Sequence, residues 1–279
     1  MSEEKALAVK DDYAVSSEFQ GMFDSSLGSA GDTLDAEDLR IPKLTLVQAM
    51  TKGSFNTEGA AVGNYINSIE KNDMGNELEM FVMTDTKLWQ FDYEVKKGKD
   101  VKKEYLTITD FEGYGDLRKN WKADALPPEV LKKMEAKEIS FDNMLPPDLI
   151  YRFYVLLVDE VKAGLAFPYI LDFKRSSAPE GNKLKNIFYK MKTLAKVPSY
   201  AKVFTLSSEF VQDEYDYYIK KCSSGRNIDK EELAAVEHWV KELSQNRNAY
   251  QDDESDNEAE GPVTVEAEVV DSSDGKPKF

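Results

Sequence analysis

The chain of 279 residues contains one cysteine, Cys222, and one histidine, His238. A lone cysteine excludes an intramolecular disulfide framework. One cysteine and one histidine cannot by themselves build a common zinc site. His238 sits in "AAVEHWVKEL", without the second histidine of an H-E-x-x-H motif, and reads as a helix-surface residue. Cys222 has no histidine partner in its sequence context to activate it. Gly-rich phosphate loops of the Walker or Rossmann type are missing. There is no run of 18 apolar residues, so no membrane-spanning helix is expected. The opening "MSEEKALAVKDDYAVSS" has acids where a signal peptide carries a basic front, and no apolar region follows it. These absences together predict an intracellular, non-enzymatic protein with no cofactor and no metal. A carboxylate-metal nuclease is the enzymatic alternative, since acids can converge in three dimensions without a linear motif.

Charge is abundant, and its distribution matters more than its sum. The formal net charge is −16. Residues 1–38 hold ten acids and two lysines, and residues 251–279 hold ten acids and two lysines. The 212 residues between them carry 32 basic and 32 acidic groups. The acidity therefore belongs to the ends. Both read as flexible acidic arms (1–38 and 251–279) around one folded unit, 39–250.

Inside that neutral unit, residues 173–206 hold eight Lys or Arg against one acid, Glu180. A surface of this kind neutralises phosphates; the bland alternative is a solvated helix face. The stretch divides into a strand end at "DFKR", a helix over about 181–196, and a return to strand after Pro198. Leu184, Ile187, Phe188, Met191, Leu194 and Ala195 make the predicted inward stripe. Lys185, Lys192 and Lys196 fall on one flank, Lys183 and Lys190 on the other. The expected phosphate contacts are Lys174, Arg175, Lys183, Lys185, Lys192 and Lys196. A second basic cluster, at the "KKGKD" turn, adds Lys97 and Lys99.

Around this stretch the pattern is mostly β. "LRIPKLTLVQAM" and "VGNYINSI" are short strand candidates, followed by "ELEMFVMTDTKLWQFDYEV" and "KEYLTITDF". "DLIYRFYVLLVDE" and "LAFPYILDFKR" flank a turn-like "VKAG". In the first, Arg152 and Tyr154 share one face, and Tyr151, Phe153, Val155 and Leu157 share the other. Pro128 is placed to open a short helix. Asp229 and Glu232 form a capping-box pair for a last helix over 229–246. Single-strand binders stack bases on rings beside a positive track. Tyr65, Trp89, Phe91, Tyr93, Tyr154 and Tyr169 are the strand-borne candidates for stacking, Trp121 and Tyr114 lie in an irregular section near Arg118 and Lys119, and Arg152 beside Tyr154 is a further cation. The fold class expected is mainly β with inserted helices, an OB-fold-like small barrel.

The sequence also resembles phage-type single-stranded DNA-binding proteins. The resemblance rests on "DLRIPKLTLVQAM", "FPYILDFKRSS", "NKLKNIFYKM", "VPSYAKVFTLSSE", the acidic stretch 251–274 and the terminal Phe279. It covers roughly 39–222 plus the tail. The "KPKF" ending departs from tails that keep acids close to the last Phe. The resemblance implies sequence-independent binding of single-stranded DNA in the cytoplasm of a bacterial host, protecting it during phage replication or recombination. It also implies replication or recombination proteins as partners of the tail, with Phe279 as the docking residue, and allows a homo-oligomer. The competing class is a phage structural or interaction protein (a scaffold, virion component or host-protein inhibitor) acting through its acidic arms.

Overall fold

The computed structural model describes residues 40–49, 60–97, 100–109, 117, 121–213, 216–246 and 251–252. Most of the acidic arms, together with Lys99 and Phe279, lies outside the described residues. In chain order the elements are β1 (Arg40–Ile41), β2 (Leu44–Leu46), β3 (Tyr65–Asn67), β4 (Asp73–Gly75), β5 (Glu77–Lys97) and β6 (Asp100–Thr109). Then come α1 (Pro128–Lys137), β7 (Asp148–Leu157), α2 (Val158–Ala163), β8 (Tyr169–Lys174) and α3 (Ala178–Lys190). The series ends with β9 (Lys202–Val211), β10 (Tyr217–Asn227), α4 (Lys230–Asn246) and β11 (Gln251–Asp252).

The molecule is mainly β. Its principal sheet runs β10-β9-β5-β7-β8, with β6 also paired to β5, and every pairing in it is antiparallel. β5 organises this sheet. Residues 77–81 pair with β9, 80–90 with β7 and 88–97 with β6. A register shift between Val82 and Thr84 leaves Met83 as an extra residue opposite β7, which bends the strand and raises its local twist.

The sheet does not close into a barrel among the described residues, where β8 and β10 each end it. The two edges nevertheless face each other across the segment 42–48. The Ile170 N–H donates to the Pro42 carbonyl (2.8 Å), and Lys43 bridges Ile170. At the other edge the Gln48 amide accepts from the Tyr218 N–H (2.8 Å) and donates to the Tyr218 carbonyl (2.7 Å), taking the place of a strand. The Lys220 ammonium on β10 reaches the Asp172 carbonyl on β8 at 2.7 Å.

Each face of the curved sheet buries a separate apolar layer. Phe153, Val155 and Leu157 of β7 join Leu171, Phe173, Phe204 and Leu206 in an inner cluster, closed by β2–β4 and α3. Tyr154 and Leu156 turn to the opposite side, where they pack with Ile170, Val203 and the α4 residues Val236 and Leu243. The parity expected for β7 is therefore observed, but both parities are buried. A third cluster joins the far half of β5 and β6 to α1 through Trp89, Phe91, Tyr93, Leu106, Val130 and Met134. Each fully buried Phe or Leu contributes about 1.5–3 kcal/mol.

The helix signals act locally as expected. Pro128 opens α1, where a missing N–H costs nothing. The Asp229 N–H donates to Glu232 (2.9 Å), one half of the predicted capping box, and Arg226 clasps the same carboxylate. One connection differs from expectation. "VDEVKA" forms α2, closed by Gly164 at φ 71, where a bare turn was expected. β8 then starts at Tyr169, immediately after Pro168, which has no N–H to offer a ladder.

Candidate nucleic-acid interface

α3 begins with Pro179 and Glu180 in its first turn, both suited to a helix N-terminus. Gly181 then sets how close the helix lies to the sheet. A Cβ at that position would stand 2.7 Å from Phe173 Cβ and 2.8 Å from Tyr151 Cβ, so only glycine fits. Leu184, Phe188 and Met191 face inward. The Phe188 ring sits edge-on between Phe153 (5.8 Å) and Phe204 (5.3 Å).

The expected stripe does not continue to Leu194 and Ala195. Met191–Ala195 forms a π turn, closed by Lys196 in the left-handed region at φ 58. An i→i+5 turn takes in one more residue than an α turn. It rotates Leu194 off the inner face, where it is 79% exposed. Tyr189, near the end of α3, is 69% exposed.

The predicted cations separate into three groups. In the first, Arg152 is buried and donates from Nε and NH2 to the two Asp172 oxygens, both at 2.8 Å. Burial alone would raise the Asp172 carboxyl. The Arg152 guanidinium, with Lys43 and Lys220, holds it below its ordinary value. Arg152 is thus part of an internal ion pair and not of a phosphate surface, which corrects its expected role.

The second group is exposed but partnered. Arg175, at φ 50, spans Asp148 (2.7 Å) and Asp92 (3.0 Å). Lys185 meets Asp85 at 3.0 Å and Lys183 meets Glu180 at 3.2 Å. Lys174 ends β8 half-buried and has interactions of its own.

The third group is Lys192 and Lys196, to which the structure adds Lys190. All three are exposed, Lys190 just before the π turn, Lys192 within it and Lys196 just after it, and none has an ion-pair partner among the described residues. Lys97 ends β5, and its side chain, like the whole of Lys99, lies outside the described residues.

The six strand-borne rings predicted to stack are internal, Trp121 is half-buried, and Tyr114 lies outside the described residues. Trp89 is buried in the third cluster, with the Lys87 ammonium 5.1 Å from its ring centroid. Tyr93 is buried beside it; its hydroxyl donates to Glu104 (2.9 Å) and accepts from Lys137 (3.3 Å). Burial, with Glu104 adding to it, pushes the Tyr93 hydroxyl well above its ordinary value. Tyr154 lies under α4. All three were expected on a half-open sheet, but a helix or strand pair covers each face that bears them. Cys222 is likewise internal, and burial pushes its thiol up to about 12, so it stays protonated at neutral pH.

Among the described residues, Tyr189 and Phe210 are the Phe, Tyr or Trp rings most exposed to solvent. Sequence periodicity passed over both. Phe188 and Tyr189 are adjacent on a helix, so they point about 100° apart and only one can face the core. That signal was available. Phe210 stands half-exposed at the end of β9, 5.3 Å from the Tyr218 ring. Tyr218 itself lies against Gly63, where an added Cβ would stand 2.6 Å from the ring. Among the described residues no group of three His, Cys, Asp or Glu is placed to hold a metal ion, and no helix is long and apolar enough to cross a membrane. No family model, curated protein or solved structure matches this chain.

Proposed function

We propose that the protein binds single-stranded DNA, largely independently of sequence, and acts without catalysis to protect it during phage replication or recombination in the host cytoplasm. One observation carries this reading. Lys190, Lys192 and Lys196 are exposed within seven residues of one another, with no acidic partner among the described residues, in a segment of net charge +7. Cations so placed are available to phosphates.

The sheet supports the reading at the level of architecture. Five strands in the order β10-β9-β5-β7-β8, with α3 inserted between β8 and β9, and edges drawn together across residues 42–48, are compatible with a partly open OB-like barrel. The acidic tail supplies a competitor for the lysines and, when displaced, an arm for replication or recombination proteins, with Phe279 at its end.

Fluorescence polarisation with labelled single-stranded DNA, duplex DNA and RNA, at several salt concentrations, tests this. Single strands should bind most tightly. If the three lysines each neutralise one phosphate, they account for a slope of about −2 in log K against log salt. Truncation after Asp252, which keeps β11 paired with β1, should tighten binding. If neither form binds single strands at low salt, the proposal fails.

A further inference from the structure

Just before the π turn over Met191–Ala195, Tyr189 carries its ring 69% exposed, and Leu194 within the turn is 79% exposed. Thr193 locks the turn from below, its hydroxyl donating to the Tyr189 carbonyl at 2.6 Å. Lys190, Lys192 and Lys196, all exposed, follow Tyr189 within seven residues. A phenol ring that can take a base on its face, bordered by ammonium groups for the flanking phosphates, fits an unpaired nucleotide. A duplex, with its bases already stacked, offers the ring nothing.

We infer that Tyr189 is a base-stacking platform that gives the α3 surface its preference for single strands. This rests on the proposed DNA binding and specifies the part of it that discriminates single strands from duplex. The ring's exposure means that Tyr189→Ala removes no packing, so folding is not at stake; a thermal melt serves as the check.

The test compares wild type, Tyr189→Ala, Tyr189→Phe and Lys192→Ala on an oligothymidine, a duplex, and an abasic strand of equal length. Tyr189→Ala should weaken oligothymidine binding about 5- to 150-fold, the range for loss of one base–aromatic stack. Duplex and abasic binding should be unchanged. Tyr189→Phe should bind like wild type. Lys192→Ala should weaken all three ligands and reduce the salt slope.

If wild type binds oligothymidine and Tyr189→Ala binds it equally well, the platform is overturned while the DNA-binding reading stands. If wild type binds nothing, the reading fails, and the platform with it. If Tyr189→Ala instead turns a dimer into a monomer in sedimentation with DNA affinity unchanged, the surface is a contact between copies and the inference is overturned.

Discussion

Two sets of cations from neighbouring parts of the chain have opposite fates. At the seam between β8 and β10, Arg152, Lys43 and Lys220 gather around Asp172 inside the protein. At the end of α3 and its π turn, Lys190, Lys192 and Lys196 stand in solvent with no ion-pair partner among the described residues. The first set holds the sheet edges in place; the second set is left over for something else. A count of basic residues along the chain treats the two sets alike. Burial and the position of acids far away in sequence separate them.

The sharpest way to break the comparison is to remove the carboxylate from the buried set. Asp172→Ala leaves Arg152 inside without its bidentate partner, and a loss of about 3–5 kcal/mol is expected from urea unfolding. A loss below about 1 kcal/mol would mean that the seam is wet and the contrast is false. Because the Asp172 carboxyl is held low, its contribution is present above about pH 4. It disappears as pH falls through the native value, below 3.8.

Glu160 gives the opposite pH dependence. One of its oxygens accepts from the Tyr169 hydroxyl at 2.7 Å; the other is buried with no partner. Burial, with Glu70 and Asp159 nearby, raises the carboxyl to about 7. Glu77 and Glu79 line the same small cavity. A raised carboxyl stabilises the fold below about pH 4.5, and that contribution is lost as pH rises through 7. Glu160→Gln should therefore match wild type near pH 4.5 and exceed it by up to about 3 kcal/mol at pH 8. Equal urea midpoints at pH 8 would show that Oε2 is solvated.

Arg175 lies between the two sets, half-exposed but tied to Asp92 and Asp148. Its replacement by alanine should cost no more than about 1 kcal/mol, as expected of exposed ion pairs. The smallest effect belongs to the outer set. Lys190→Ala, Lys192→Ala and Lys196→Ala together should change stability by no more than about 0.5 kcal/mol per site, while reducing the salt dependence of DNA binding. A large fall in melting temperature would place these lysines in the fold and leave the contrast without support.

Much of the fold was legible where the signal is local. The alternation in "DLIYRFYVLL" separates Phe153 and Val155 from Tyr154 and Leu156, as observed. Pro128 and the Asp229–Glu232 pair mark helix starts because each acts on backbone groups within one turn. The candidate site was less legible. Arg175 finds Asp92 83 positions away, and no local pattern encodes that pairing. Tyr154 was predicted to face ligand because nothing in β7 announces that α4 will cover it. The π turn depends on how α3 seats against Phe153 and Phe204, which heptad-like counting cannot register.

β5 has a mechanical consequence. Its 21 residues, about 70 Å of extended chain, run without a break from the middle of the principal sheet into the β5–β6 hairpin. The distal cluster around Trp89 and Phe91 and the main core around Met80 and Val82 are therefore strung on one strand. There is no hinge between them. A pull on the hairpin travels along the covalent chain into the centre of the sheet, between β7 and β9, where it must shear two ladders at once. The hairpin is built as a stiff lever, and whatever it touches is felt at the core.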